Sequence, residues 1–282
     1  ATRSSPPWRP VRFGPPWPEV PGRSAAVSPG PGACLRGLFR LTAGAAFLAG
    51  LWILAAAAAA AAGPGTRDRW MRFLRMWGAR YLSALLGVRP VHRGNPTSGA
   101  CLAAGNHLSW LDSLVVIAAT GASYTAYARG NRLVDLFLRS MGTILLPRGY
   151  AASLPGVVKA AAERLGTGCP VGVFPEGTTT FGPGCLPFKP AFFQAALDSG
   201  VPVQPFALTY ETPAPWPSPP RSVHWVDWTP LPVHVFRVLC LPRVDARTIW
   251  LPAIRSVAGE DRRSLASRTE ASVRAALTSD IP

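Results

Sequence analysis

The amino-acid sequence predicts an α/β fold: a mixed, largely parallel sheet flanked by helices, preceded by an N-terminal membrane helix and an amphipathic interfacial helix. Three features lead to this prediction. After Gly94 short apolar runs alternate with helical segments, a long apolar segment lies near the amino terminus, and a basic amphipathic segment lies between the two. Apolar runs that alternate with helices are typical of a buried parallel or mixed sheet. The 282 residues suffice to bury one such core.

Residues 1–34 contain many prolines, glycines and serines and have no periodic apolar pattern. This composition predicts a disordered extension. From Leu38 to Ala62 the chain is largely apolar, and Arg40 is its only charged residue; about 20 apolar residues cross a bilayer as a helix. We therefore predict a membrane anchor helix over residues 35–65. A cleavable signal peptide and a buried alanine-rich helix are the alternatives.

Residues 66–89 form the basic segment that follows the predicted anchor. Their aromatic and leucine side chains recur at intervals of three and four, which predicts an amphipathic helix. Such a helix binds at the membrane interface or packs on a domain with a solvated basic edge, and its place directly after the anchor favours the interface. The apolar positions are Trp70, Phe73, Leu74, Trp77, Tyr81, Leu82 and Leu85, and the arginines are Arg67, Arg69, Arg72 and Arg75.

The chain carries a formal net charge of +15. Almost all of it comes from arginine, because Lys159 and Lys189 are the only lysines in the sequence. A surface this basic attracts nucleic acid or an anionic membrane leaflet. The long apolar segment and the lack of a nucleic-acid binding motif favour the membrane. Arginines flank the apolar segment on both sides, so the positive-inside rule gives no orientation.

Residues 90–282 are predicted to form the α/β domain. Its strands are predicted at the apolar runs CLAAGNH, YTAYARG, GTILLPRG, CPVGVFPEG and VPVQPFALTY. Helices are predicted from about residue 110 and near residues 131–141, 153–166 and 188–199. Residues 211–282 fit the alternating pattern only loosely, and we assign them no catalytic role.

The cysteines and histidines predict neither a metal site nor a disulfide framework. The five cysteines are scattered and include no C-x-x-C pair. No two of the four histidines are four residues apart, the spacing that directs two imidazoles from one helix toward a metal. The sequence also lacks the G-x-S-x-G motif of a serine nucleophile. We therefore expect no metal and no bound cofactor.

The first candidate site is the segment N-H-L-S-W-L-D from Asn106 to Asp112, where an apolar strand ends and a helix begins. Proteins of the α/β class place their sites in such loops. His107 and Asp112 point in different directions if both are helical, so they meet only if His107 precedes the helix. Ser109 as N-cap, with Asp112 at the third helical position, would start the helix after His107. The same capping box explains Ser109 and Asp112 without any catalysis.

Two further apolar strands end in polar residues. In V-F-P-E-G-T-T-T, at residues 173–180, Gly177 beside hydroxyl residues leaves backbone N–H groups open to a ligand oxygen, and Glu176 can hold a loop or a hydroxyl. At residues 142–149, Arg148 stands at the strand end, where a guanidinium suits a phosphate. An ordinary strand-to-turn exit and a structural ion pair are the respective alternatives.

Together these segments resemble the lysophosphatidic acid acyltransferase family of glycerolipid acyltransferases, in particular its bacterial branch. Four blocks match in order and approximate spacing: N-H-x-S-W-L-D, the apolar run that ends in P-R-G, F-P-E-G-T, and V-P-V-Q-P at residues 201–205. The resemblance covers roughly residues 70–240. The chain is similar to family members that acylate lysophosphatidate or, in some bacteria, lyso-ornithine lipid.

The resemblance implies a role for each matching residue. His107 would be the general base that removes a proton from the acceptor hydroxyl, and Asp112 would orient its imidazole. The residues implied to bind the head group of the acceptor are Arg148, Glu176, Gly177 and Thr178. The residues implied to shape the site around them are Asn106, Ser109, Pro175 and Pro202.

One position departs from the family pattern. Many members have arginine after the E-G-T triplet, whereas this chain has Thr179. One phosphate ligand is then absent or is supplied by Lys189. The departure weakens the argument for an acceptor that carries a phosphate.

The resemblance implies a membrane-bound O-acyltransferase that moves a fatty acyl group from acyl-CoA or acyl carrier protein to 1-acyl-glycerol-3-phosphate and gives phosphatidic acid. Its partners would be the bilayer, the lysolipid acceptor and the acyl donor, without nucleic acid. Both donors are cytosolic, so we expect the catalytic domain at the cytoplasmic face of a bacterial inner membrane. Lyso-ornithine lipid is the alternative acceptor. A thioester hydrolase in which His107 activates water and a non-catalytic basic membrane-binding protein are the other hypotheses.

Overall fold

The computed structural model describes most of the chain after residue 28. The described residues are 29–61, 63–128, 132–147, 153–182, 184–214, 216, 218, 222–226 and 229–279. The predicted disordered extension therefore falls largely outside the described residues. Its last four residues, 31–34, are helical and belong to the first helix instead.

Within the described residues seven strands form one sheet. The strands are β1 (Val88–Arg93), β2 (Leu102–Gly105), β3 (Ser123–Tyr127), β4 (Ile144–Leu146), β5 (Val171–Val173), β6 (Val203–Glu211) and β7 (Val244–Trp250). Their order is β1-β7-β6-β2-β5-β3-β4, and every neighbouring pair is parallel except β6 and β7. The prediction of a mixed, largely parallel sheet is confirmed.

Helices pack on both faces of this sheet. The helices of the domain are α3 (Leu111–Thr120), α4 (Arg132–Ser140), α5 (Leu154–Gly166), α6 (Phe193–Ser199), α7 (Leu231–Cys240) and α8 (Arg262–Ser279). One apolar cluster joins α3 and α7 to one face of the sheet, and a second joins α5, α6 and α8 to the other. The central strand β2 is fully buried between the two clusters.

Several elements differ from the sequence prediction. Helix α6 begins at Phe193, after Pro190, and not near residue 188. Strand β1 was not predicted, because it buries only its first residue, Val88, and so lacks apolar alternation. Strand β7 and helices α7 and α8 lie in residues 211–282, where the sequence showed only a loose pattern.

A helical hairpin precedes the domain. Helix α1 (Pro31–Ala61) is followed by α2 (Pro64–Leu86), and α2 ends at Gly87, which adopts the left-handed conformation of a helix C-cap. By length and composition, Pro31–Ala58 could cross a membrane. In this structure α1 packs along α2. The rings of Phe47 and Tyr81 lie 4.5 Å apart.

Arginines of the hairpin cap helices of the domain. Arg36 donates to the carbonyl oxygen of Cys240 at the end of α7, with its Nη2 2.9 Å away. In α2, Arg72, Arg75 and Arg80 donate to carbonyl oxygens at the end of α3. Cations at a helix C-terminus satisfy unpaired carbonyl groups and complement the helix dipole. The alternative interpretation of this segment, a helix packed on the domain with a solvated basic edge, therefore does not hold for Arg75, which is buried.

Candidate active site

The loop after β2 is fixed to the neighbouring strand β6 by Asn106. Its side-chain amide donates to the carbonyl oxygen of Leu208, and its amide oxygen accepts the N–H of the same residue, both at 2.8 Å. One residue earlier, a side chain at Gly105 would meet the carbonyl oxygen of Phe206 at 2.4 Å. The two strands therefore approach closely, and Asn106 ties the start of the loop to β6.

His107 and Asp112 form a hydrogen-bonded pair. Nδ1 of His107 lies 2.7 Å from Oδ2 of Asp112. His107 precedes α3 and Asp112 lies in its first turn, which is the arrangement that the sequence required for the two to meet. The side chain of Asp112 is fully buried, and that of His107 is 21% exposed. The imidazole therefore lies at the surface of a site whose carboxylate is shielded from water.

The Asp112 carboxylate also closes the loop that carries His107. Its Oδ2 accepts the backbone N–H groups of Leu108 at 2.6 Å and Ser109 at 2.9 Å. This is half of the predicted capping box. The other half is missing, because Ser109 Oγ lies 3.5 Å from the N–H of Leu111 and the helix has no side-chain cap. The bond from Asp112 to the loop replaces the serine cap.

Tyr210 of β6 is a partner of Asp112 that the sequence analysis missed. Its hydroxyl donates to Oδ1 of Asp112 at 2.6 Å. Its only sequence signal is its place at the end of the apolar run that begins at Val201. A partner 98 residues away is brought here by the pairing of β6 with β2.

Phe174 fixes the plane of the imidazole. Its ring is stacked on that of His107 with centroids 4.0 Å apart and an angle of 4° between the planes. With Nδ1 bonded to Asp112, Nε2 is the ring nitrogen left for a substrate, and among the described residues it has no hydrogen-bond partner. Such an imidazole can act as a base at Nε2.

Glu176 positions the loop of His107. Its Oε1 accepts the N–H of His107 at 2.6 Å, and its Oε2 accepts the N–H of Leu186 at 2.8 Å. Burial raises the pKa of Glu176 to about 7, and its hydrogen bonds with the two N–H groups oppose that rise. The expectation that Glu176 binds the head group is wrong, because both oxygens are bonded to backbone and the side chain is buried.

Gly177, Thr178 and Lys189 form an exposed polar corner beside Glu176. Gly177 has a φ of +71°, and a side chain there would lie 2.5 Å from Nζ of Lys189. The N–H of Lys189 donates to the carbonyl oxygen of Pro175 at 3.0 Å, which holds the lysine against this turn. Lys189 has no ion pair with any other described residue. Arg148 lies outside the described residues.

Residues 222–226 join the loops of His107 and Glu176. The N–H of Trp225 donates to the carbonyl oxygen of Leu108 at 2.9 Å, and the Thr179 hydroxyl donates to the carbonyl oxygen of Trp225. Thr179 thus points into the protein at the position where many family members have arginine. This segment was not predicted to contribute to the site, and the tryptophans near residue 225 are the one sequence feature that could have indicated it.

Two histidines behind this segment are buried. His224 Nδ1 donates to the carbonyl oxygen of Phe181 at 2.9 Å, and burial lowers the pKa of His224 to about 4. His234 Nδ1 accepts from the indole of Trp110 at 3.2 Å, and its Nε2 donates to the carbonyl oxygen of His224 at 3.0 Å. These bonds give both histidines a structural role. Among the described residues no group of three or more His, Cys, Asp or Glu could hold a metal ion.

Pro202 lies away from the site. Its carbonyl oxygen accepts the N–H of Leu102 at 3.0 Å, at the amino ends of β6 and β2. His107 follows the carboxyl end of β2, so the length of the strand separates the two residues. The implied role of Pro202 in shaping the acyl site stays a prediction, and the residues of β6 that reach the loop of His107 are Phe206, Leu208 and Tyr210.

The structure is an α/β fold whose candidate site is a hydrogen-bonded histidine–aspartate pair after the central strand β2. Residues 90–209 match the family model described as Acyltransferase. The chain is 31% identical over 181 residues to a 1-acyl-sn-glycerol-3-phosphate acyltransferase of Neisseria meningitidis, which covers 64% of this chain and 70% of that protein. It is also 31% identical over 209 residues to a lyso-ornithine lipid O-acyltransferase of Pseudomonas aeruginosa, which covers 73% of this chain and 78% of that protein.

A solved structure, the 1-acyl-sn-glycerophosphate acyltransferase PlsC from Thermotoga maritima, has the same fold. The TM-score is 0.65 at 16% identity, over 87% of this chain and 94% of that one. The chain belongs to the lysophosphatidic acid acyltransferase family. It is an acyltransferase of the lysophosphatidate or lyso-ornithine lipid type.

Proposed function

We propose that the protein transfers a fatty acyl group from acyl-CoA or acyl carrier protein to the free hydroxyl of 1-acyl-glycerol-3-phosphate and forms phosphatidic acid. The observation that carries this proposal is the 2.7 Å pair of His107 and Asp112, with Nε2 of the imidazole left for a substrate. The relative from Neisseria meningitidis, which is named for this activity, supports the choice of acceptor.

His107 and Asp112 perform the proton transfer in this proposal. Nε2 of His107 takes the hydroxyl proton as the acceptor oxygen attacks the thioester carbonyl. The tetrahedral intermediate then expels the thiolate, which takes the proton from the imidazolium. Asp112 holds the proton on Nδ1 and stabilises the imidazolium. The acceptor's own alcohol is the nucleophile, so no covalent acyl-enzyme forms.

The turn after Glu176 is proposed to supply a backbone donor for the tetrahedral oxyanion or for a head-group oxygen. The N–H of Gly177 donates to the carbonyl oxygen of Phe174 at 3.0 Å and is occupied. The N–H of Thr178 has no partner among the described residues. Thr178 is therefore the better candidate to stabilise the tetrahedral oxyanion or a head-group oxygen.

The head group of the acceptor lies at Lys189 in this proposal. Lys189 is an exposed cation held against the turn of Gly177, and it takes the place of the arginine that many family members have at Thr179. An ammonium group binds a phosphate as a point charge. Arg148, which follows β4, is proposed as the second cation.

Lyso-ornithine lipid is a second candidate acceptor. The lyso-ornithine lipid O-acyltransferase of Pseudomonas aeruginosa matches a longer part of the chain than the Neisseria relative does, 209 against 181 residues. Thr179 points away from the site toward Trp225, so this turn carries one cation fewer than the family pattern. Fewer cations suit a head group of lower charge than a phosphate.

We further infer that the hairpin of α1 and α2 attaches the enzyme to the cytoplasmic face of the inner membrane. Large apolar side chains of both helices are exposed, and they include Leu35, Phe39, Ile53, Leu54, Trp70, Phe73, Trp77 and Tyr81. Because α2 packs on both α1 and α3, the hairpin lies along the domain, which favours insertion of its apolar side into one leaflet over a crossing. The cytoplasmic orientation is proposed because both acyl donors, acyl-CoA and acyl carrier protein, are cytosolic.

Acyl transfer from labelled acyl-CoA tests the proposed function. Membranes with the wild type, His107→Ala or His92→Ala are given lysophosphatidate or lyso-ornithine lipid in separate assays. His92 lies on the edge strand β1 beside Trp250 and serves as the matched control. We expect labelled phosphatidate with the wild type and the control, and a loss of about two to four powers of ten in His107→Ala.

The other outcomes of this assay separate the alternatives. Label that enters only ornithine lipid keeps the mechanism and changes the acceptor. Loss of acyl-CoA at the same rate without an acceptor indicates a hydrolase. Near-normal transfer by His107→Ala would overturn the mechanism.

A further inference from the structure

The Asp112 carboxylate is held from two sides. Its Oδ2 receives the imidazole of His107 and the backbone N–H groups of its own loop, whereas its Oδ1 receives the hydroxyl of Tyr210 at 2.6 Å. Tyr210 belongs to β6, on the far side of the carboxylate from the loop, and is buried. Each oxygen of the carboxylate thus accepts hydrogen bonds from a different part of the fold, Oδ2 from the loop and Oδ1 from β6.

We propose that Tyr210 is a positioning residue for acyl transfer: its hydroxyl fixes the Asp112 carboxylate to the sheet and sets how much negative charge that carboxylate presents to His107. This inference rests on the proposed role of His107 as the general base. It adds a third member, Tyr210, to the pair that the sequence indicates.

Strand β6 is built to hold this loop at both ends. Leu208 binds the side chain of Asn106, the residue before His107. Tyr210, two residues further along the strand, lies on the same face and binds Asp112, the residue that closes the loop. Two residues of β6 that are two positions apart, Leu208 and Tyr210, therefore hold the start and the end of the loop.

Among the described residues, Tyr210, Tyr124, His224 and Glu176 interact electrostatically with Asp112 besides His107, and Tyr210 is the one of these four that forms a hydrogen bond with it. Burial raises the pKa of Tyr210 and that of Tyr124 well above their usual values, so both stay protonated. Burial lowers the pKa of His224 to about 4, so it is neutral near pH 7. Burial raises the pKa of Glu176 to about 7. Removing the Tyr210 hydroxyl thus removes a neutral donor and no charge.

The loss of the Tyr210 hydroxyl is expected to shift the pH dependence of kcat/KM in one direction. The hydroxyl draws negative charge toward Oδ1 of Asp112 and away from His107. Without it, more charge faces the imidazole, and the protonated imidazole persists to higher pH. Because a general base must be unprotonated, the acidic limb of the pH dependence of kcat/KM moves to higher pH.

Tyr210→Phe tests the inference, with Tyr124→Phe as the matched control. The Tyr124 hydroxyl is also buried near Asp112, yet it has no hydrogen-bond partner among the described residues. For Tyr210→Phe we expect kcat/KM to fall about tenfold and the acidic limb to move up by about 0.5 to 1 pH unit. Tyr124→Phe keeps the wild-type limb and rate.

The outcomes distinguish the inference from the function on which it rests. An inactive wild type overturns both. If the wild type is active and Tyr210→Phe has the same rate and the same acidic limb as Tyr124→Phe, the inference alone is overturned. A loss of rate in Tyr210→Phe without a shift of the acidic limb also overturns it, because such a loss indicates a purely structural role. If Tyr210→Phe unfolds, 3-fluorotyrosine at position 210 replaces it. Fluorine strengthens the donor, so the limb then moves to lower pH, and an unmoved limb overturns the inference.

Discussion

The backbone N–H of His107 donates a 2.6 Å hydrogen bond to Oε1 of Glu176, a residue 69 positions further along the chain. The other oxygen of Glu176 accepts the N–H of Leu186. One buried carboxylate therefore joins the loop of the candidate base to the loop that carries Gly177 and Lys189. The first and third blocks of the family pattern, N-H-x-S-W-L-D and F-P-E-G-T, are thus joined through Glu176, and we expect Glu176 to act on catalysis through the position of His107.

Glu176→Gln is expected to lower acyl transfer. An amide has one acceptor oxygen where the carboxylate has two, so the N–H of either His107 or Leu186 loses its partner and faces an NH₂ group. A buried unsatisfied N–H costs about 1–3 kcal/mol, and we expect kcat to fall by about tenfold or more.

Initial rates of acyl transfer measure this effect, with Glu211→Gln as the control. Glu211 forms an exposed ion pair with Arg247 on β6 and β7, away from the loop. Equal rates for Glu176→Gln and Glu211→Gln would contradict the positioning role.

The stability of the wild type relative to Glu176→Gln is expected to fall as pH rises from about 4.5 to 7. Burial raises the pKa of Glu176 from 4.5 to about 7, so in this window the folded state binds more protons than the unfolded state. The wild type loses up to about 3 kcal/mol of unfolding free energy relative to the variant across the window.

Urea unfolding at a series of pH values measures this difference. The comparison with the variant is needed because His224, whose pKa is lowered to about 4, acts in the opposite direction and stabilises the fold as pH rises to 6.5. His224 is present in both proteins and cancels. A difference that does not depend on pH would show that Glu176 ionises normally in the folded state.

Asp112→Asn is expected to reduce acyl transfer at least about a hundredfold. An asparagine can place its NH₂ group toward Nδ1 of His107, which moves the proton to Nε2 and leaves no lone pair for the acceptor hydroxyl. It also removes the charge that stabilises the imidazolium. Single-turnover acyl transfer at several pH values checks this, and a rate within threefold, roughly, of the wild type would exclude an orienting role.

Lys189→Ala is expected to raise KM for lysophosphatidate about tenfold or more, since a charge-assisted hydrogen bond to the phosphate is lost. Lys159→Ala is the control because it removes the only other lysine, which lies on α5. Steady-state rates over a range of acceptor concentrations give KM for both variants. An unchanged KM in Lys189→Ala would place the head group elsewhere.

Replacement of Trp70 and Phe73 with serine is expected to release the protein from membranes. Both side chains are about half exposed on α2, at 50% and 46%. Burying such a side chain in the interface contributes about 1.5–3 kcal/mol. Co-sedimentation with anionic lipid vesicles measures binding. Val257→Ser, at another exposed apolar position, is the control, and equal binding of the two variants would contradict the role of the hairpin.

The sequence determined the class of fold and indicated which two residues form the candidate catalytic pair. Apolar runs between helices were sufficient for a mixed, largely parallel sheet, because the burial of a strand on both faces leaves a continuous apolar run. His107 and Asp112 were recognisable because a histidine before a helix can meet an acidic residue in its first turn. These are local relationships, and local relationships are readable from spacing.

Only the tertiary structure decided what the more distant residues do. Tyr210 binds Asp112, Glu176 is buried behind the loop of His107, and Thr179 points inward. Pro202 lies at the amino ends of β6 and β2, whereas His107 follows the carboxyl end of β2. Each of these depends on which strands become neighbours, and β6 and β2 are about 100 residues apart along the chain. Spacing along the sequence does not encode such pairings, because they follow from the packing of the whole sheet.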